Sequence, residues 1–311
     1  PAISPRRSHG HSSAMILREY VTNQELDEFA ALYSRADHES LPVFPALAYL
    51  KEGRKPAIRF FTVANHINSG SPVYGFALDD SPQSGPYAAV IPVASAGDAS
   101  LLRSACSELM KRCHSVFVAR RLFIFFCCQE EQTAIVDMVK EEYPNTTCSL
   151  FPVEKFHMTE EQVEQLLKLD LPLPSGFRYD SIDVDRDSQT VHDMWRHAEK
   201  IENTRFLIDN YPSACVRHTA SGKIAAWELS SPFGLLTHLF VVEEFRGRGL
   251  GMTVELRLSQ ELARKGFRPY KFVETFNMPV LRGSHSHPLW TGCAQEDGTP
   301  KLFTFPVIKP Q

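Results

Sequence analysis

The sequence predicts an α/β protein with a mixed sheet, divided into two domains. Its 311 residues are 43% hydrophobic and 23% charged, which is enough for two cores of the usual size. In the first half, β-rich runs alternate with runs that have the period of helices. The second half shows the same succession of helix, antiparallel strands, helix and strand, although no residue-level repeat is present.

The first half opens with a capping box, Thr22-Asn23-Gln24-Glu25, which predicts a helix. Pro42, Pro45 and Gly53 are expected to interrupt the stretch that follows. Turn clusters then separate the remaining segments. Strands are predicted at 57–64, 73–78, 87–92, 122–127 and 147–152, and helices at 98–113 and 131–143.

A second capping box at 159–162 opens a helix that ends in the proline-rich run 171–176, where we place the domain boundary. Beyond it, the sequence predicts a strand near Phe177, helices at 191–198 and 203–211, and strands at 214–218, 223–229 and 235–242. The predicted ranges are 1–14 for a tail left from expression or from a transit peptide, 15–155 for the first domain, 156–176 for a helix and linker, and 177–311 for the second domain.

Composition excludes several classes of protein. The formal charge of −4 argues against a nucleic-acid partner, and the longest apolar run, 122–128, is far shorter than the ~20 residues of a membrane span. Seven cysteines without a C-x-x-C pair predict reduced thiols rather than disulfides or structural zinc. His285 and His287 lack a third ligand at suitable spacing, so no metal site is expected.

The most informative segment is 239–254, where a buried strand leads through a glycine-rich loop into a helix. Gly247, Gly249 and Gly251 leave backbone N–H groups unshielded at the start of this helix, which favours binding of a diphosphate. Arg246 and Arg248 add charge-assisted contacts. The spacing fits neither a P-loop nor a dinucleotide fingerprint. A glycine turn with solvated arginines is the alternative interpretation.

The order of strand, R-x-x-G-x-G loop and helix resembles the acyl-CoA-binding motif of the GNAT superfamily of N-acyltransferases. Further residues follow in an order similar to the glycine N-acyltransferase branch, over about 177–290: Trp195, Arg205-Phe206, Tyr211-Pro212, Trp227-Glu228-Leu229, 266–270 and 273–277. The first half is similar only in length and element order. The resemblance implies two GNAT-like domains in tandem, of which the second binds acyl-CoA or acetyl-CoA.

The resemblance also implies how the second domain holds CoA. The strand before the loop and the strand that carries Val273 would separate, and the pantetheine arm would pair with main-chain groups of the first strand. Asn277 would bond the pantetheine or, alternatively, cap the next helix. The implied cofactor-binding residues are Leu239, Phe240, Val241, Val242, Arg246, Gly247, Arg248, Gly249, Leu250, Gly251, Met252 and Asn277.

The catalytic base is where the sequence departs from the family. The family carries a glutamate on the strand before the loop, but its spacing leads to Leu235, and 235–240 contains no carboxylate. His238 and Glu274 are the candidate replacements, because amide formation benefits from a base with a pKa near the working pH. Strand alternation places His238 on the face opposite Leu235 unless a bulge intervenes. Alternatively, Glu274 is a surface carboxylate paired with Lys271 or an arginine.

These observations predict transfer of an acyl group from CoA to an amine, with a small molecule such as glycine or another amino acid as the acceptor. A protein amine is a further possibility. The competing class is a non-catalytic acyl-CoA-binding or interaction protein, which the missing carboxylate favours. The reduced thiols indicate a reducing compartment and the resemblance allows mitochondria, so a cytoplasmic or mitochondrial location is expected.

Overall fold

One mixed sheet runs through the computed structural model, which describes residues 17–54, 58–64, 71–93, 98–198 and 200–311. The predicted tail, 1–14, lies outside these residues. The strands are β1 Arg18–Tyr20, β2 Arg59–Ala64, β3 Pro72–Asp79, β4 Tyr87–Pro92, β5 Phe123–Cys128, β6 Thr146–His157, β7 Phe177–Asp180, β8 Ser213–His218, β9 Ile224–Ser230, β10 Leu235–Val241, β11 Tyr270–Glu274, β12 Thr291–Gly292 and β13 Leu302–Pro310.

Helices cover both faces of the sheet, as the alternating sequence pattern predicts. They are α1 Asn23–Ala30, α2 Val43–Lys51, α3 Ala99–Arg112, α4 His114–Arg120, α5 Gln129–Glu142, α6 Glu160–Lys168, α7 Val184–Asp193, α8 Ile201–Asn210, α9 Leu250–Arg264 and α10 Met278–Ser286. None of the described helices combines the length and the apolar character that crossing a bilayer requires. The α/β class with a mixed sheet is confirmed.

The two halves share one strand pattern. In the first, β1 to β4 are antiparallel neighbours and β5 is parallel to β4. In the second, β7 to β10 are antiparallel neighbours and β11 is parallel to β10. Each half therefore contains a single parallel pair, at which the order of strands along the chain jumps across a helix.

The halves are joined by an exchange of strands. β6 pairs with β11, the last strand of the second pattern, and β13 lies between β5 and β6. The resulting order is β1-β2-β3-β4-β5-β13-β6-β11-β10-β9-β8-β7. The domain ranges stay a prediction, but β13, which belongs to the predicted range 177–311, completes the sheet of the first half.

An aromatic cluster fills the junction between the halves. Phe126 of β5, Phe272 of β11 and Phe303 of β13 approach one another with ring centroids 4.4–5.9 Å apart. Phe305 joins them at 5.2 Å from Phe126. Because these rings come from strands of both halves, their burial couples the two cores.

Local sequence signals placed many of the helix starts correctly. Thr22 and Thr159 both form the predicted capping boxes, in which the threonine hydroxyl accepts from the N3 backbone and the N3 side chain accepts from the cap. Asp98 caps α3 with its carboxylate. These predictions are confirmed because a cap is a short-range interaction.

The expected interruption near Pro42 is wrong, because the chain forms α2 there. Pro42 is the N-cap and Pro45 lies in the first turn, where a helix does not need the backbone N–H that proline lacks. Gly53 does end the helix, with a left-handed φ of 73°.

The helix predicted at 191–198 is also displaced. α7 begins at Val184, where the Asp183 carboxylate accepts from the N–H groups of Asp185 and Arg186, and it ends at Asp193. Its buried face carries Asp187, which hid its amphipathic pattern. Asp187 is buried because it forms an ion pair with Arg217, at 2.7 Å.

The strand exchange predicts that one β13 side chain stabilises both halves. Phe303 is 1% exposed and contacts aromatic rings of both, so Phe303→Ala should lower the free energy of unfolding by about 3–5 kcal/mol. Urea unfolding, followed by tryptophan fluorescence and circular dichroism, measures the change. Lys309→Ala, at an exposed position of the same strand, is the control. Equal effects of the two substitutions would contradict this prediction.

Candidate active site

β10 and β11 form a V-shaped opening in the sheet. They pair at only two positions, Leu235 with Tyr270 and Leu236 with Lys271. From Thr237 onward, β10 has no ladder partner on the β11 side, although it stays paired with β9 on its other side. The separation that the resemblance implies is therefore present, and it leaves a main-chain edge of β10 open.

A bulge lies beside this opening. The register between β9 and β10 shifts between Thr237 and Phe240, and His238 has a left-handed φ of 55°. A bulge inserts one extra residue and breaks the alternation of side chains. Simple alternation would place His238 on the face opposite Leu235, and the bulge is the irregularity that turns it away from that face.

The loop after β10 ends in an unusually open helix start. Gly247 and Gly249 have φ values of 74° and 77°, and Gly249 is the N-cap of α9 without any side-chain cap. A Cβ atom at either glycine would meet nothing within 4 Å. The first backbone N–H groups of α9 therefore have no side-chain cap and no side chain of Gly247 or Gly249 to cover them, next to the positive end of the helix dipole.

Two arginines border this helix start and are partly fixed. Arg246 donates from Nε to the Val241 carbonyl at 3.1 Å, which leaves its terminal nitrogens available. Arg248 lies over the Phe177 ring, 5.6 Å from its centroid, and both arginine side chains are exposed to solvent. The loop thus combines N–H donors with two cationic groups, as an anion site requires.

The matching place in the first half is closed. There the α3 start is capped by Asp98, whose Oδ1 accepts from the N–H groups of Ser100 at 2.9 Å and Leu101 at 3.1 Å. A carboxylate already occupies the donors and would repel a phosphate. Of the two equivalent helix starts, only that of α9 offers free donors to an anion.

His238 is enclosed by aromatic rings. Trp195 stacks on it at 4.8 Å with an interplanar angle of 8°, and Trp227 meets it edge-on at 5.8 Å. Both ring nitrogens are buried without a hydrogen-bond partner in the described structure. Burial lowers the pKa of His238 to about 4, and the Met194 backbone offsets part of this shift without reaching hydrogen-bond geometry. The imidazole is therefore neutral near pH 7 and a weak base.

Glu274 lies at the end of β11 and pairs with a histidine. Its Oε1 is 3.0 Å from Nε2 of His197, which follows α7. The alternative partner, Lys271, instead forms a buried ion pair with Glu255 of α9 at 2.7 Å. Nothing in the sequence around His197 indicated this contact, because the two residues meet only through the tertiary fold.

The sequence also missed a buried polar cluster on the α9 face of the sheet. Trp290 donates to Glu255 at 2.8 Å, and Glu228 of β9 lies next to this pair with one carboxylate oxygen unpartnered. Burial, followed by the charge of Glu255, raises the pKa of Glu228 well above its ordinary value. Glu228 is adjacent in β9 to Trp227, which faces His238, so the pleat directs Glu228 to the opposite face.

Two further predictions concern Asn277 and metal ligands. Asn277 is the N-cap residue of α10, but its side chain makes no capping hydrogen bond and is left free for another role.

His285 bonds Glu154 at 2.7 Å, as a polar surface residue does. Elsewhere in the described structure, Cys128, Glu130 and Glu131 have possible ligand atoms within 4.8 Å of one another. Cys128 is a buried thiol and forms no disulfide.

Comparisons with known proteins agree with this geometry. Residues 215–282, which contain the V-shaped opening and α9, match the family model described as FR47-like protein. A solved structure of a tandem GNAT protein from the clavulanic acid biosynthesis pathway superposes with a TM-score of 0.51 at 13% identity, covering 95% of this chain and 99% of that one. The chain has the fold of a tandem GNAT protein.

A Drosophila protein of known structure is similar over the same extent, with a TM-score of 0.72, 16% identity and coverage of 95% of this chain and 99% of that one. Among curated proteins, none matches the chain significantly. The fold and the FR47-like segment support the GNAT superfamily. The glycine N-acyltransferase branch stays a prediction.

The enclosure of His238 predicts its titration. Its ring should take up a proton with a midpoint at about pH 4, because burial between two tryptophans disfavours the charged form. NMR of the imidazole protons measures this midpoint, and His238→Phe assigns the signal by removing it. A midpoint near the ordinary histidine value of ~6.5 would contradict the burial described here.

Proposed function

We propose that the chain is an acyl-CoA-dependent N-acyltransferase, which moves an acyl group from CoA to the amine of a small molecule such as glycine or another amino acid. One observation carries the proposal. The uncapped start of α9 and the unpaired edge of β10 lie in sequence along one path, so that a diphosphate and an extended arm could bind together.

The diphosphate is assigned to the loop 246–252. Backbone N–H groups from Gly247 to Met252 would donate to its oxygens, and Arg246 would add a charge-assisted contact through its terminal nitrogens. Gly251 serves a different purpose. A Cβ atom there would lie 3.2 Å from Cγ2 of Val241, so glycine lets α9 approach β10 closely.

The pantetheine arm is assigned to the open edge of β10, at Leu239, Phe240 and Val241. Val242 can contribute only the second lone pair of its carbonyl oxygen, because its N–H donates to the Ala225 carbonyl and its carbonyl already accepts from the Phe245 N–H, both at 2.9 Å. Asn277, across the opening, has a free side chain to bond the arm. This arrangement directs the thioester toward the bulge at His238.

A non-catalytic acyl-CoA-binding protein is the second candidate, and Leu235 favours it. Leu235 forms the first of the two pairs at the vertex of the opening, and it cannot accept a proton. Binding of CoA uses the loop and the strand edge alone. Transfer additionally needs the amine to lose a proton.

Release of free thiol separates the two candidates. The protein is incubated with a panel of acyl-CoAs, with and without glycine and other small amines, and thiol is measured together with the amide product. An enzyme should release thiol in proportion to amide, and only when an amine is present. Tight acyl-CoA binding without amide formation across the panel would favour the binding protein instead.

The loop assignment predicts the effect of one substitution. Gly249→Val should weaken CoA binding tenfold or more, about 1.4 kcal/mol, because a branched side chain covers the N–H donors and disfavours the left-handed φ. Calorimetry measures the affinity, and the wild-type titration should saturate at one equivalent because Asp98 closes the other helix start.

Gly298→Val is the matched control. Gly298 also has a left-handed φ, of 82°, and open space around its Cβ position, but it lies in the turn before β13. The control should keep wild-type CoA affinity. Unchanged affinity in a folded Gly249→Val protein, or a second equivalent bound by the first half, would refute the assignment.

A further inference from the structure

We propose that His197 is the general base of the acyl transfer and that Glu274 is its positioning residue. This role of His197 rests on the proposed function, and no local pattern in the sequence marks the residue. It replaces the two earlier candidates by one pair, in which Glu274 acts through the histidine that it holds.

The segment 194–198 crosses the opening between β10 and β11. On the β10 side, Trp195 stacks on His238 of the bulge. On the β11 side, His197 bonds Glu274, and the Arg196 guanidinium lies over the ring of Phe276, 4.8 Å from its centroid. Because consecutive side chains of one short segment contact both arms of the V, this segment lies over the place where the thioester arm would be.

The contact with Glu274 sets the chemistry of the His197 ring. A carboxylate accepts hydrogen bonds, so Nε2 of His197 is the protonated nitrogen and donates to Oε1 at 3.0 Å. Nδ1 then carries the lone pair. A carboxylate that fixes the tautomer and stabilises the imidazolium form is the arrangement by which a histidine serves as a base.

Accessibility separates His197 from the other basic groups. The His197 side chain is 51% exposed and can meet an incoming amine, whereas the ring nitrogens of His238 are buried. Glu228 is buried on the α9 face, away from the segment 194–198. Glu274 bonds His197, Arg196 is its neighbour in the chain, and the charges of His192 and His197 both lower the pKa of His238.

The step can be written with every proton placed. Nδ1 of His197 takes a proton from the ammonium group of the acceptor, and the freed lone pair attacks the thioester carbonyl carbon. The C–N bond forms, and the C–S bond breaks with its electron pair leaving on sulfur. The thiolate takes up one proton as CoA departs, and a second proton goes to solvent, so no oxidant or metal is required.

The test compares His197→Gln with the wild-type protein. Glutamine keeps an Nε2–H donor for Glu274 but has no basic nitrogen. We expect kcat with glycine or the best acceptor to fall ~100-fold or more, with CoA affinity unchanged, because base assistance contributes ~100- to 10,000-fold. The ascending limb of the pH profile of kcat should move to higher pH, because without the base only the neutral fraction of the acceptor amine reacts. Glu274→Gln should lower kcat less and shift that limb.

Two controls exclude a merely structural role. Arg196→Gln removes the neighbouring contact of the same segment, over Phe276, and should leave kcat within a few-fold of wild type. Hydroxylamine, an acceptor that is already neutral at the assay pH, should restore most of the rate of His197→Gln, because it needs no base to expose its lone pair.

A fully active His197→Gln protein, or an equal loss of rate with hydroxylamine, would overturn the assignment while leaving the proposed function intact. A wild-type protein that binds acyl-CoA but acylates no amine would overturn both.

Discussion

The brevity of one parallel pairing determines the candidate site. β10 and β11 share two positions and then separate, which leaves main-chain donors and acceptors of β10 without partners inside a sheet that is otherwise continuous. Unpaired backbone groups in such a place are costly unless water or a ligand satisfies them. The bulge at His238 lies on this edge, and the glycine loop and the open start of α9 follow it in sequence. The edge, the loop and the helix start therefore form one continuous stretch along which a ligand could bind.

The two halves show how one architecture serves different purposes. In both, a helix starts after the first strand of the single parallel pair, but Asp98 closes the helix start in the first half and Gly249 leaves that in the second half open. The N-cap residue thus decides whether the N–H groups at the positive end of the helix bind a side chain of the protein or remain free for a ligand. The first half contributes instead through β6, which supports β11 over five positions and so holds one arm of the opening in place.

Features that depend on neighbours in sequence could be predicted, and those that depend on the tertiary fold could not. The capping boxes, the glycine loop and the strand before it are local, and the structure contains them as expected. The interruption predicted at Pro45 was wrong because proline breaks a helix in its interior but is tolerated in the first turn, where Pro45 lies. The predicted position of α7 was wrong because an aspartate is expected at the surface, whereas Asp187 is buried through its ion pair with Arg217. His197 and Glu274 are 77 positions apart, and no local pattern joins them.

The position of β13 has a consequence for synthesis of the chain. β5 lies in the interior of the finished sheet, yet its neighbour on one side is made only after the whole second half. Until then the nascent first half exposes an apolar strand edge, which is a template for intermolecular pairing. Completion of the first half is therefore a late, non-local event, because that edge is covered only when β13 has been synthesised and has paired with β5.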